Sequence, residues 1–181
     1  MFRDGDDIYM MPETQANRRL EVWKATEFPL RWTLFATALD GQLAADSCLF
    51  RHDGTWWLFT NLSQHQRFQD HSSALYLFSC DGPNLENLRP HPQNPVVIGG
   101  DTARNAGAVL ASGGRLFRPA QANRHGIYGQ GLNLMEIEEL SPTRYRERLD
   151  RSFSSANLPG WRRVHHASFS DGLFVVDRSP T

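Results

Sequence analysis

The sequence predicts an all-β fold of the β-propeller type, and three observations carry that expectation. A glycine-closed turn recurs four times, the stretches between the turns read as short strands, and one strand is apolar without interruption. The turn glycines are Gly5, Gly54, Gly114 and Gly172, in "RDGDDIYMMPET", "RHDGTWWLFTN", "ASGGRLFRPAQ" and "FSDGLFVVDR", spaced by 49, 60 and 58 residues. Such periods belong to stacked supersecondary units. Asp-Gly and Gly-Gly suit two-residue turns whose central positions need positive φ, so each copy is expected at a hairpin tip.

The first unit is expected over residues 1 to 44, with almost nothing before Gly5 to make an opening strand. Within it, "PETQANRRLEVWKAT" is long enough for a helix, but Pro12 and the alternation of Leu20, Val22 and Lys24 favour a turn followed by a strand. "RWTLFATAL" is the next strand. The second unit, 45 to 95, has "SCLF" before its tip and "TWWLFTN" after it. A strand covered by neighbouring sheets on both faces is apolar throughout, and Trp56 and Trp57, pointing to opposite sides, would fill both gaps. "SALYLFSC" follows. The third unit, 96 to 155, contains "GAVLA", "RLFRPAQ", the alternating "LNLMEIEEL" and the charged "SPTRYRERLDRS", read as a solvated strand edge and loop. A closing piece, 156 to 181, supplies "HASF" and "LFVVD".

Propellers close with about four to eight blades. Even if its two ends share one blade, this chain supplies only about three and a half, which implies a segment upstream or a second chain to complete the ring.

The chain has 181 residues and a formal charge of −1. It has no basic patch for nucleic acid, no apolar run long enough for a membrane span, and no visible export signal, which leans towards the cytoplasm. Cys48 and Cys80 sit in apolar runs and are expected as buried free thiols. No metal-ligand spacing and no cofactor or nucleophile motif occurs, so no metal and no cofactor are expected. His52, His65, His71, His91 and His125 fall in loop-like sequence and are expected at the surface.

Taken together, "DDIYMMPET", "LFRHDGTWWLFTN", "ARNAGAVLASGGRLFRPAQ" with "YG" and "MEIEEL" after it, and "VHHASFSDGLFVVD" resemble the amino-terminal propeller domain of plant glucosamine inositolphosphorylceramide transferases and its bacterial relatives. That domain is similar to the five-bladed propellers of glycoside hydrolase families 32, 43 and 68. The resemblance implies a missing first blade, which would carry the first of the three carboxylates those hydrolases use, and a saccharide or glycolipid headgroup as partner.

On the residues that remain, Glu13 at the end of a strand and Asp46 at the start of an inner one are the candidate catalytic carboxylates. Arg104 and Asn105 begin the next inner strand, where small Ala106 and Gly107 permit close approach. An asparagine there cannot act as a carboxylate, which favours binding over catalysis. Arg118, Gln121 and Tyr128 add a guanidinium fork, an amide and a phenol suited to a polyhydroxylated or anionic sugar. Of the adjacent His165 and His166 only one can face the axis, and His166 is the choice. The other reading is a non-catalytic module that positions a fused or partner transferase domain.

Overall fold

Asp53 and Gly54 both take positive φ, 47° and 78°, the geometry that turns a right-twisted ribbon back on itself in two residues. Strands β5 (Leu43–His52) and β6 (Thr55–Ser63) therefore run antiparallel, with His52 opposite Thr55. Gly113 and Gly114 repeat the arrangement between β10 (Leu110–Ser112) and β11 (Arg115–Ala122). The computed structural model describes residues 1–63, 71–123, 127–154, 163–170 and 173–177. Gly172, His65 and His125 lie outside these residues.

Four antiparallel sheets follow one another along the chain. The first contains β1 (Phe2–Asp4), β2 (Asp7–Met10), β3 (Leu20–Glu27) and β4 (Arg31–Ala38), in that order. Phe2–Asp4 thus gives this unit an opening strand, where the sequence left almost nothing before Gly5. The window read as a turn and a strand is a short 3-10 turn, Gln15–Asn17, leading into β3. The second sheet orders β5, β6, β7 (Ala74–Cys80) and β8 (Arg89–Pro90), with β9 (Val97–Ile98) also pairing with β7. The third orders β10, β11, β12 (Gly131–Leu140) and β13 (Tyr145–Ser154), and a hairpin of β14 (Ala167–Ser170) and β15 (Leu173–Val176) comes last. The fold is all-β and resembles an incomplete propeller, with no closed ring among the described residues. No helix among them is long and apolar enough to cross a membrane.

Strand β6 shows how the sheets are joined. Its even residues Trp56, Leu58 and Leu62 pack with Tyr9, Leu20 and Val22 of the first sheet. Its odd residues Trp57 and Phe59 pack with Ile137 and Tyr145 of the third. The indoles are 6% and 3% exposed, so they are core and offer no stacking surface to a sugar. At about 25 cal/mol per Å², each contributes about 5 kcal/mol of gross transfer free energy. A third cluster joins Ala106 and Leu132 to Val164 and Ala167 beside the hairpin. Cys48 and Cys80 are buried and unpaired, as expected.

Two histidines depart from the expectation of surface placement. His71 is buried with Nε2 3.1 Å from the Leu43 carbonyl, and His91 is buried with Nε2 3.1 Å from the Ser141 carbonyl. Loop-like sequence hid them because their partners lie 28 and 50 residues away. The Gln93 N–H donates to His91 Nδ1 at 3.2 Å, so both ring nitrogens are satisfied only by the neutral form protonated on Nε2. Burial pushes the His91 pKa below its ordinary value, against the pull of the Ser141 bond.

The unfolded chain takes up this proton near about pH 6.5. It then binds more protons than the folded one, and stability falls as pH drops through that value towards the lower folded pKa. We expect His91→Gln to remove part of the loss of stability between about pH 7 and about pH 5. Urea denaturation at the two pH values checks this, and an unchanged difference refutes it.

Candidate functional site

A cavity of about 240 Å³ opens beside the first strands of three sheets, lined from β1, β5 and β14 and the segments next to them. Glu13 reaches it from the segment after β2, Asp46 from β5, and His166 from the segment entering β14, while Gly107 and Ala108 close the wall ahead of the third sheet. Met11, Leu20 and Leu49 provide apolar lining. Three of the sequence-predicted residues, one in a strand and two in segments adjoining other sheets, thus share one pocket.

Asp46 is placed by a break in the ladder. The register of β5 against β6 shifts between Ala45 and Cys48, and Asp46 takes φ +50°, a left-handed conformation that Asp tolerates better than most residues. Bulges of this kind re-aim a side chain beside a site. Arg104 Nε donates to Asp46 Oδ2 at 2.7 Å and Asn105 Nδ2 donates to the Asp46 carbonyl at 3.0 Å. The bulge is thereby held from the neighbouring segment.

Arg104 also lies over the Tyr128 ring, its Cζ 5.0 Å from the centroid, a favourable cation–π placement. Burial pushes the Tyr128 phenol up, Arg104 pulls it down, and Asp46 and Glu13 push it up again. Tyr128 in turn meets His165 edge-on, centroids 5.0 Å apart. Partial desolvation pushes the His166 imidazole down, with Asp46 opposing, although the residue stays exposed at the pocket.

Asn105, Arg118 and Gln121 lie inside the wall, at 1%, 0% and 1% exposure. Arg118 Nη1 donates to Asn105 Oδ1 at 3.0 Å, Nη2 to the Thr102 carbonyl at 2.6 Å, and Nε and Nη2 grip Glu147 at 2.9 and 2.6 Å. Gln121 Nε2 donates to the Asn105 carbonyl at 3.1 Å. Asn61, from β6, accepts from the Asn105 N–H at 2.9 Å and donates to the carbonyls of Ala74 and Ala103. Asn105 thereby links Arg118 to Asp46, and Gln121 also meets the Tyr128 phenol through its side chain.

Asn61, Glu147 and Asp177 escaped the sequence reading. Asn61 had a signal, a lone amide ending the apolar run "WWLFT". Glu147 was hidden in a charged run. Gly107 takes φ +137°, and a Cβ there would stand 1.9 Å from the Ala167 carbonyl oxygen. The Ala167 N–H donates to the Ala106 carbonyl at 2.7 Å. Only a glycine lets the two segments meet so closely.

A family profile described as "Glucosamine inositolphosphorylceramide transferase 1, N-terminal" matches residues 1–166. Glucosamine inositolphosphorylceramide transferase 1 of Oryza sativa subsp. japonica is 33% identical over 174 residues, covering 92% of this chain and 23% of that protein. The protein of that name from Arabidopsis thaliana is 32% identical over 186 residues, covering 97% and 24%. The chain thus spans about a quarter of the length of these relatives.

Among solved structures, the GH43B protein of the Bacteroides ovatus xyloglucan PUL superposes with a TM-score of 0.62 at 17% identity, covering 96% of this chain and 34% of that one. A family 43 β-1,3-galactosidase with galactodeoxynojirimycin gives 0.59 at 14%, covering 82% and 44%. At these identities the likeness is one of fold.

Proposed function

This chain belongs to the glucosamine inositolphosphorylceramide transferase 1 N-terminal family, and from that premise we propose that its central pocket binds a saccharide, the sugar part of a glycolipid headgroup. The observation that carries the reading is the convergence of Glu13, Asp46 and His166, one in a strand and two in segments adjoining other sheets, on one cavity of about 240 Å³. That volume lies just under the range of about 300–1,000 Å³ usual for ligand pockets and so favours a small ligand such as a single sugar unit.

Carboxylates accept hydrogen bonds from vicinal hydroxyls, and such charge-assisted bonds are about twice as strong as neutral ones. Asp46, already oriented by Arg104, is the fixed acceptor. Glu13 is the second carboxylate, and in a hydrolytic version of the site it serves as acid or base. His166, as a neutral imidazole, both donates and accepts. Met11 and Leu20 meet the apolar face of the ring. Arg104 and Tyr128 form the rim beside Asp46. Asn105, Arg118 and Gln121 act behind it by fixing Asp46.

A second reading is favoured by one observation, that the place of a further carboxylate is filled by Asn105, whose amide is spent on Asp46 and Arg118. In it the pocket binds without turnover, and the domain positions the transferase portion of a longer or partner protein.

Titration calorimetry with glucosamine, myo-inositol 1-phosphate, galactose, xylose and arabinose tests the binding claim. We expect at least one to bind, and Asp46→Asn to weaken it about 10-fold to 100-fold, the loss of a charged hydrogen bond. Folded protein that binds none of the five, or an Asp46→Asn variant with unaltered affinity, overturns the assignment. Release of reducing sugar from the matching glycosides separates the catalytic version from the second reading.

A further inference from the structure

We infer that Asp177, the last residue of "VHHASFSDGLFVVD", is the positioning residue that holds His166 in the pocket wall. The claim rests on the sugar-binding reading above for its consequence, but not for its geometry.

Asp177 follows β15 directly, and its carboxylate faces back across the hairpin. One oxygen, Oδ1, accepts the main-chain N–H groups of both His165 and His166, at 3.1 and 2.7 Å. The other, Oδ2, pairs with His165 Nδ1. The Asp177 N–H donates to the His166 carbonyl at 3.2 Å. Residue 177 therefore grips both peptide groups that flank the His166 α-carbon. One residue further on, the Ala167 N–H is tied to the Ala106 carbonyl.

His166 thus hangs between two anchors, with its Nε2 3.5 Å from where a side chain on Gly107 would begin. Both anchors oppose withdrawal of its main chain from the cavity. Through its second oxygen Asp177 also fixes the His165 ring, which abuts Tyr128, which in turn lies beneath the Arg104 guanidinium that holds Asp46. A single carboxylate at the end of the last strand so braces two sides of the pocket.

The two oxygens have separable tasks. Asparagine keeps an acceptor for the two N–H groups but removes the charge opposite His165; alanine removes both; serine retains a short acceptor if alanine fails to fold. The test is ring 1H–15N correlation spectra of the seven histidines, ligand-free, with His165→Gln and His166→Gln used for assignment.

We expect Asp177→Asn to shift the His165 ring nitrogens and leave His166 in place, and Asp177→Ala, or Asp177→Ser, to shift or broaden His166 as well. Titrated with myo-inositol 1-phosphate and galactose, Asp177→Asn should stay within about threefold of wild type, and Asp177→Ala should lose about tenfold or more. His166 signals unmoved in both the alanine and serine variants overturn the inference. Wild-type protein that binds none of the five ligands named above overturns the sugar reading instead, and the ligand-free spectra still decide the role of Asp177.

Discussion

Arg118→Met is expected to destabilise the fold by about 3–5 kcal/mol, measured by urea denaturation. Arg118 is 0% exposed, and its partner Glu147 shows 6% of its side chain. Burial works against the charged guanidinium, but Glu147 more than offsets this, and the Arg118 pKa lies above its ordinary value. Tyr145, pushed well up by burial and then by Glu147, donates its hydroxyl to the same carboxylate.

Removing the cation leaves Glu147 buried without a counter-charge and strips Asn105 and Thr102 of a donor. Most of the effect is that stranded anion, so Arg118→Met combined with Glu147→Leu should recover a large part of it. Lysine cannot replace a fork that serves two carboxylate oxygens and two further acceptors, so Arg118→Lys should resemble methionine more than wild type. A loss below about 1 kcal/mol in the single variant would show the pair to be solvated, contrary to its burial.

Gly107→Ala should have an effect of similar size, about 3 kcal/mol or more, from two independent causes. The backbone at φ +137° is open to glycine and strained for any L side chain. The added carbon would also stand 1.9 Å from the Ala167 carbonyl oxygen, a backbone atom that cannot swing aside. The seam between the segment before β10 and the last hairpin must then open, and the His166 side of the pocket goes with it. Gly54→Ala is the control. Its φ is +78° and nothing lies within 4 Å of the added carbon, so only the left-handed penalty of about 1–2 kcal/mol remains. Equal destabilisation of the two variants would refute the packing argument.

How much of this could be read beforehand depended on range in sequence. The tips at Gly5, Gly54 and Gly114 and the opposed Trp56 and Trp57 were legible because turn chemistry and two-residue periodicity are local. Glu13, Asp46 and His166 were legible as residues near strand starts and ends, and the structure brings the three to one cavity. The orientation of Asn105, Arg118 and Gln121 was not. A polar residue on an inner strand reads as ligand-facing unless its internal partner is known, and Arg118 finds Glu147 29 residues later, on the far side of β12. "YRERLDR" reads as a solvated edge, and most of it is, yet Tyr145 and Glu147 are turned inward. His71 and His91 misled for the same reason. Asp177 was visible only as the end of "LFVVD", and its role was not legible because its partners, two peptide N–H groups and the His165 ring, lie across the hairpin.

The odd-even division of β6 has a consequence for how this chain can vary. Inserting or deleting a residue at the start of β6, unless a bulge absorbs it, would invert the strand beyond that point and send the contents of one interface into the other. Trp56 and Trp57 would trade places, and Asn61, whose amide spans β7 and the segment at Ala103, would point to the wrong neighbour. Length at this strand is therefore a stricter requirement than identity. A homologue can exchange one large apolar residue for another here, but it cannot change the count.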